Sequence, residues 1–81
     1  MEDVSQKHKK NNNISGENIK KIRKNQHLNQ VELATKMQLD GMPMTPSTIS
    51  KIESKSRMVT DKELLAFSKV LGTDTQKLVE K

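Results

Sequence analysis

The stretch NQVELATKMQLDGMPMTPSTISKIE, residues 29–53, decides the fold of this chain. Its second proline marks a helix start. Pro46 lacks the N–H that a first helical residue would leave unpaired, and its ring already holds the helical φ. Proline also drives the preceding residue to extended backbone, the conformation of an N-cap, and that residue is Thr45. A third helix therefore begins at Pro46. Upstream, Asn29 and Glu32 have capping-box spacing, each side chain reaching the other's backbone N–H, and open a second helix. Its apolar residues Val31, Leu33, Ala34 and Met37 are expected in the core. Between the two helices run Leu39-Asp40-Gly41-Met42-Pro43-Met44, with Met42 and Met44 expected to cap that core.

Helical spacing continues in both directions, with no strand-like alternation, so the chain reads as all-α. Ile19 and Ile22 mark a first helix, beginning near Ser15 or Gly16 and ending near Asn25. Downstream, Thr60 and Glu63 form another capping box, opening a helix with Leu64, Phe67 and Leu71 on one side. Gly72 ends it as a left-handed residue, and Asp74 starts a last short turn carrying Leu78 and Val79. Residues 5–13 (SQKHKKNNN) contain nothing apolar to offset the entropy of ordering them. Residues 1–13 are thus expected to be a flexible, disordered polar arm, and residues 14–81 one folded domain.

Composition narrows the class. Leu, Ile, Val and Phe number 18 in the 81 residues, 17 of them from Ile14 onward, enough for that part to fold. There is no cysteine, hence no disulfide framework and no thiolate metal site, which suits a reducing cytoplasm. No apolar run approaches the roughly 18 residues of a membrane span, and no signal-peptide segment follows the start, so a cytoplasmic protein without membrane contact is expected. His8 and His27 lie far from each other and from any acid or nucleophile set. Neither an enzyme nor a metal site is indicated. The sole aromatic, Phe67, falls on an apolar helix face rather than on a base-stacking surface, which argues against single-strand binding.

Charge is concentrated. Residues 20–57 hold eight basic side chains (Lys20, Lys21, Arg23, Lys24, Lys36, Lys51, Lys55, Arg57) against three acids (Glu32, Asp40, Glu53), and the flanks on both sides are neutral. The net charge of +5 therefore lies wholly in this segment. Such a field suits a phosphate-bearing partner; the plainer alternative is a solvated lysine surface. A helical wheel separates the faces of the third helix, with Ile49 and Ile52 on one side and Ser47, Ser50, Lys51 and Ser54 on the other. The polar side is short, and it lacks the long Glu/Lys pairs of an ordinary solvated face. Glu53 sits in the last turn, where a negative charge opposes the helix dipole and calls for a cationic partner.

Taken in order, residues 28–34 (LNQVELA), 47–53 (STISKIE) and 64–72 (LLAFSKVLG) resemble the Cro and phage-repressor type of helix-turn-helix domain, often called Xre-like. The resemblance runs from Ile19 to Val79. It implies a five-helix, lambda-repressor-like bundle whose second and third helices form the DNA-binding unit, the third entering the major groove. It further implies a sequence-specific transcriptional regulator of the repressor kind, a homodimer on a two-fold double-stranded DNA operator, with no cofactor and no small-molecule ligand. By the same resemblance, Pro46, Ser47, Ser50 and Lys51 read bases. Asn29, Gln30, Thr45, Thr48, Lys55 and Arg57 hold phosphates, and Arg23 forms a structural ion pair with Glu53. Two features depart from the family pattern. The connection between the second and third helices exceeds the usual short turn, and Lys55 replaces the customary glycine, so that either Lys55 is left-handed or the helix runs on. Leu78 and Val79 are candidates for the dimer contact or for ordinary core packing. The competing function is a protein-interaction module, an antitoxin or antirepressor, on the same bundle.

Overall fold

A computed structural model describes the backbone of residues 2–80 and the side chains of residues 14–80; the side chains of the arm expected over residues 1–13 lie outside the described ones. The elements in order are α1 (Glu2–Asn25), α2 (Gln30–Leu39), α3 (Pro46–Glu53), α4 (Asp61–Leu71) and α5 (Thr75–Val79), and the described residues form no strand. Side-chain caps start three of them. Asn29 Oδ1 accepts from the Glu32 amide at 2.7 Å while Glu32 Oε1 accepts from the Asn29 amide at 2.8 Å. Thr60 and Glu63 repeat this exchange at 3.2 and 3.0 Å. Thr45, extended at φ −106°, accepts from the Thr48 amide at 3.2 Å with Pro46 following it. Each such cap satisfies an amide that the first turn would otherwise strand, worth about 1 kcal/mol.

The helix ends are equally uniform. In α1 to α4 an amide bonds back five residues, Leu28 to Arg23 O (3.1 Å), Met42 to Met37 O (2.9 Å), Ser56 to Lys51 O (2.9 Å) and Thr73 to Ser68 O (2.9 Å). Each closure turns on one left-handed residue: His27 (φ 61°), Gly41 (φ 90°), Lys55 (φ 70°) and Gly72 (φ 68°). Lys55 thus terminates α3 instead of extending it.

Ile19, Leu33, Met37, Ile49, Ile52, Phe67 and Leu78 are almost wholly buried and form the centre of the core, joined by Met44 from the α2–α3 connection. That connection, residues 40–45, is pinned where Gln38 Nε2 donates to Met44 O at 2.7 Å, and Met42 packs partly against the core. Leu78 belongs to this interior, because Asn18 of α1 holds α5 in place by donating to Leu78 O (2.9 Å) and Glu80 O (2.7 Å). It is therefore not free to form a dimer contact.

Two sequence expectations need correction. Val31 is 60% exposed rather than buried: it lies about 110° around the helix from the centre of the Leu33, Ala34 and Met37 stripe that faces the core. Ser15 and Gly16 do not begin the first helix but lie inside α1, both buried. Gly16 stands there because α1 crosses the end of α3 at backbone contact. A Cβ on Gly16 would sit 2.2 Å from the carbonyl oxygen of Ile52.

Packing and helix propensity make opposite predictions for Gly16→Ala. Propensity alone would stabilise α1 by about 1 kcal/mol, whereas forcing α1 off α3 costs about 1–3 kcal/mol as overpacking does elsewhere. The clash involves a backbone atom that no rotamer change relieves, so the variant is expected to melt at lower temperature in circular dichroism; a rise would contradict this crossing.

Candidate nucleic-acid interface

The inner end of α3 is held by one carboxylate. Glu53 accepts from Arg23 Nε at 2.7 Å and from Arg23 Nη2 at 2.9 Å, a two-pronged pair whose side chains are 8% and 3% exposed for Arg23 and Glu53. A third donor comes from α2, Gln30 Nε2 to Glu53 Oε1 at 3.1 Å. Arg23 Nη1 also donates to Leu28 O at 2.7 Å, tying the α1–α2 turn to the same group. Hydrogen bonds donated to Glu53 keep the Arg23 guanidinium above its ordinary pKa against the opposing effect of burial. A negative charge that α3's own dipole disfavours is thereby satisfied from two other helices.

With Ile49, Ile52 and Glu53 turned inward, the opposite face of α3 is open. Ser47, Ser50 and Lys51 are exposed, Pro46 and Thr48 half-buried. The side chains of Ser47, Ser50 and Lys51 take no hydrogen bond or ion pair among the described residues. Thr45 and Thr48 face each other with hydroxyls 3.1 Å apart at the N-terminus of α3. Asn29 and Gln30 stand at the N-terminus of α2, where the positive end of the dipole emerges. One N–H of the Gln30 amide is directed inward to Glu53, leaving the other for a ligand.

The cations after α3 are less free than the sequence suggests. Arg57, expected as a phosphate contact, forks onto Glu63 through Nη1 (2.9 Å) and Nη2 (2.7 Å) and also donates to Met58 O at 3.0 Å. Its charge is compensated within the fold. The Arg57 fork holds the Glu63 carboxyl below the usual carboxylate range, with backbone donation from Thr60 acting in the same sense. Lys55 Nζ lies 2.9 Å from Glu17 Oε2, but both side chains are about half exposed, so this pair is water-screened and readily exchanged. The Lys55 ammonium in turn keeps Glu17 below its ordinary pKa. Sequence reasoning missed Glu17 and Glu63 as partners and Gln30 as a third donor to Glu53. Only Glu63 carried a local signal, its capping-box position just past Arg57.

A model of the helix-turn-helix family matches residues 19–78, a span that takes in α2, α3 and the Arg23–Glu53 pair. No curated protein and no solved structure matched the chain.

Removing one partner of a buried pair leaves the other charge uncompensated at a cost on the order of 3–5 kcal/mol. So small a core supplies about 3–5 kcal/mol in total. Glu53→Ala is therefore expected to be largely unfolded at room temperature by far-ultraviolet circular dichroism, and to lose DNA affinity with it. A melt matching the parent protein would show that the carboxylate does not hold α3.

Proposed function

The chain belongs to the helix-turn-helix family, of the Xre and Cro type, whose members are DNA-binding and non-enzymatic, and on that premise we propose that it is a sequence-specific regulator of transcription, acting as a repressor. α3 enters the major groove of duplex DNA and reads bases with the face bearing Ser47, Ser50 and Lys51. The observation that carries this reading is that face: short, polar, exposed and without partners among the described residues, on a helix anchored from behind. Lys51 donates to guanine O6 or N7, Ser47 accepts or donates as the base requires, and Pro46 offers apolar contact to a thymine methyl. Thr45, Thr48, the N-terminus of α2 with Asn29 and Gln30, and Lys55 hold backbone phosphates and fix the register. Arg57 is left out of that set because Glu63 occupies its guanidinium.

One domain of this size covers little DNA, so the reading includes a homodimer on a two-fold operator with half-sites about one helical turn apart. In this reading, control is by concentration or by a protein partner, with no inducer required. The rival reading, an antitoxin or antirepressor acting through a protein interface, draws on exposed Leu39 (83%) of α2 and Leu65 (63%) of α4.

Selection of bound sequences from random duplexes tests the proposal, with variants run alongside. Wild type is expected to enrich one motif. Lys51→Ala is expected to relax a single base pair of it at a cost of about 1–3 kcal/mol, while the melt is unchanged. No enrichment in dilute salt would overturn the DNA reading in favour of the protein interface, which responds little to salt.

A further inference from the structure

The ion pairs of the fold relocate the positive surplus. Within residues 20–57, Arg23 is matched by Glu53, Arg57 by Glu63 and Lys55 by Glu17. The basic side chains of that segment that take no ion pair among the described residues are Lys20, Lys21, Lys24, Lys36 and Lys51. Three of these five are on α1, outside the helix-turn-helix unit, and all three are exposed. Their direction follows from contacts α1 makes with α3. Gly16 meets the Ile52 carbonyl and Arg23 meets Glu53, so the line from Gly16 to Arg23 faces α3. Measured around α1 from Gly16, Lys20 lies at about 40°, Lys24 at about 80°, Glu17 at about 100° and Lys21 at about 140°. The lysines therefore flank the α3-facing line on the side where Glu17 reaches Lys55. Lys21 is close enough to help lower the pKa of Glu17. A basic strip runs from Lys55 at the end of α3, past Glu17, along the exposed side of α1.

We propose that this strip is a second backbone-binding surface, on which Lys20, Lys21 and Lys24 hold duplex phosphates beyond the base pairs that α3 reads, with Glu17 as the internal competitor for Lys55. The inference rests on the DNA-binding reading above and extends its footprint from α2–α3 to α1. Chemically it is a row of solvated ammonium groups without a donor fork or stacking ring, which suits sequence-independent attraction to phosphate and release of counterions. Phosphate displaces the exposed Glu17 carboxylate from Lys55 as the duplex arrives. The strip adds affinity and association rate without adding sequence preference.

The test measures affinity for a mixed-sequence duplex oligonucleotide against salt concentration, using the full chain. Lys20→Gln with Lys24→Gln is compared with the charge-matched Lys62→Gln with Lys77→Gln, on α4 and α5, after thermal melts establish that both fold. The α1 pair is expected to flatten the log–log salt slope by about 0.9 per lysine removed, with a much smaller change for the distant pair. Glu17→Gln is expected to bind several-fold more tightly than the parent protein. Equal slopes for the two lysine pairs, or unaltered binding by Glu17→Gln, would overturn the strip while leaving the α3 reading intact. A parent protein that fails to bind the duplex in dilute buffer would overturn both.

Discussion

Three helices converge on the carboxylate of Glu53, and the placement of α3 depends on that meeting. A glutamate at the C-terminal end of a helix is locally unfavourable, since it faces the negative end of the dipole. Here Arg23 from α1 and Gln30 from α2 supply three hydrogen bonds to it, so the local cost is offset only when all three helices are in their native places. The crossing at Gly16 acts on the same turn, bringing α1 to the carbonyl of Ile52, the residue before Glu53. One contact is electrostatic and one steric, and together they fix both the separation and the rotation of α3. A long α2–α3 connection is tolerable on these terms, because the angle of α3 is set from α1 and not by the turn alone.

Function follows from the division this anchoring creates. The inward side of α3 carries Ile49, Ile52 and Glu53, and the outward side carries side chains too short to shield a groove. Hydroxyls of Ser47 and Ser50 impose little entropy cost on ordering, while Lys51 supplies a flexible charge. The cations sort by the same logic. Arginines are committed to structural forks with Glu53 and Glu63, where planar bidentate geometry matters, and the described lysines remain at the surface, where a mobile point charge suits phosphate.

Local chemistry was legible in the sequence and long-range partnership mostly was not. The caps at Asn29, Thr45 and Thr60, the left-handed Gly72 and the α3 wheel rest on spacings of a few residues, which primary structure displays directly. The stripe of Leu33, Ala34 and Met37 was visible for the same reason, whereas Val31 was misplaced because apolarity was read without its angle. Gly16 looked like a helix boundary, since the carbonyl it accommodates is 36 positions away in the chain. Arg57 looked like a free cation because Glu63 was understood only as a capping residue, although one carboxylate serves both donors. The candidate bases of contact on α3 were readable as a face, while their freedom from internal partners required coordinates.

Amide nuclear magnetic resonance of the labelled protein, titrated with duplex DNA, tests the central claim most directly. The anchored-α3 account predicts the largest shifts at Gln30, Ser47, Lys51 and Lys55, with α4 and α5 nearly still. Shifts gathered around Leu39 and Leu65, or none at all in dilute salt, would contradict it.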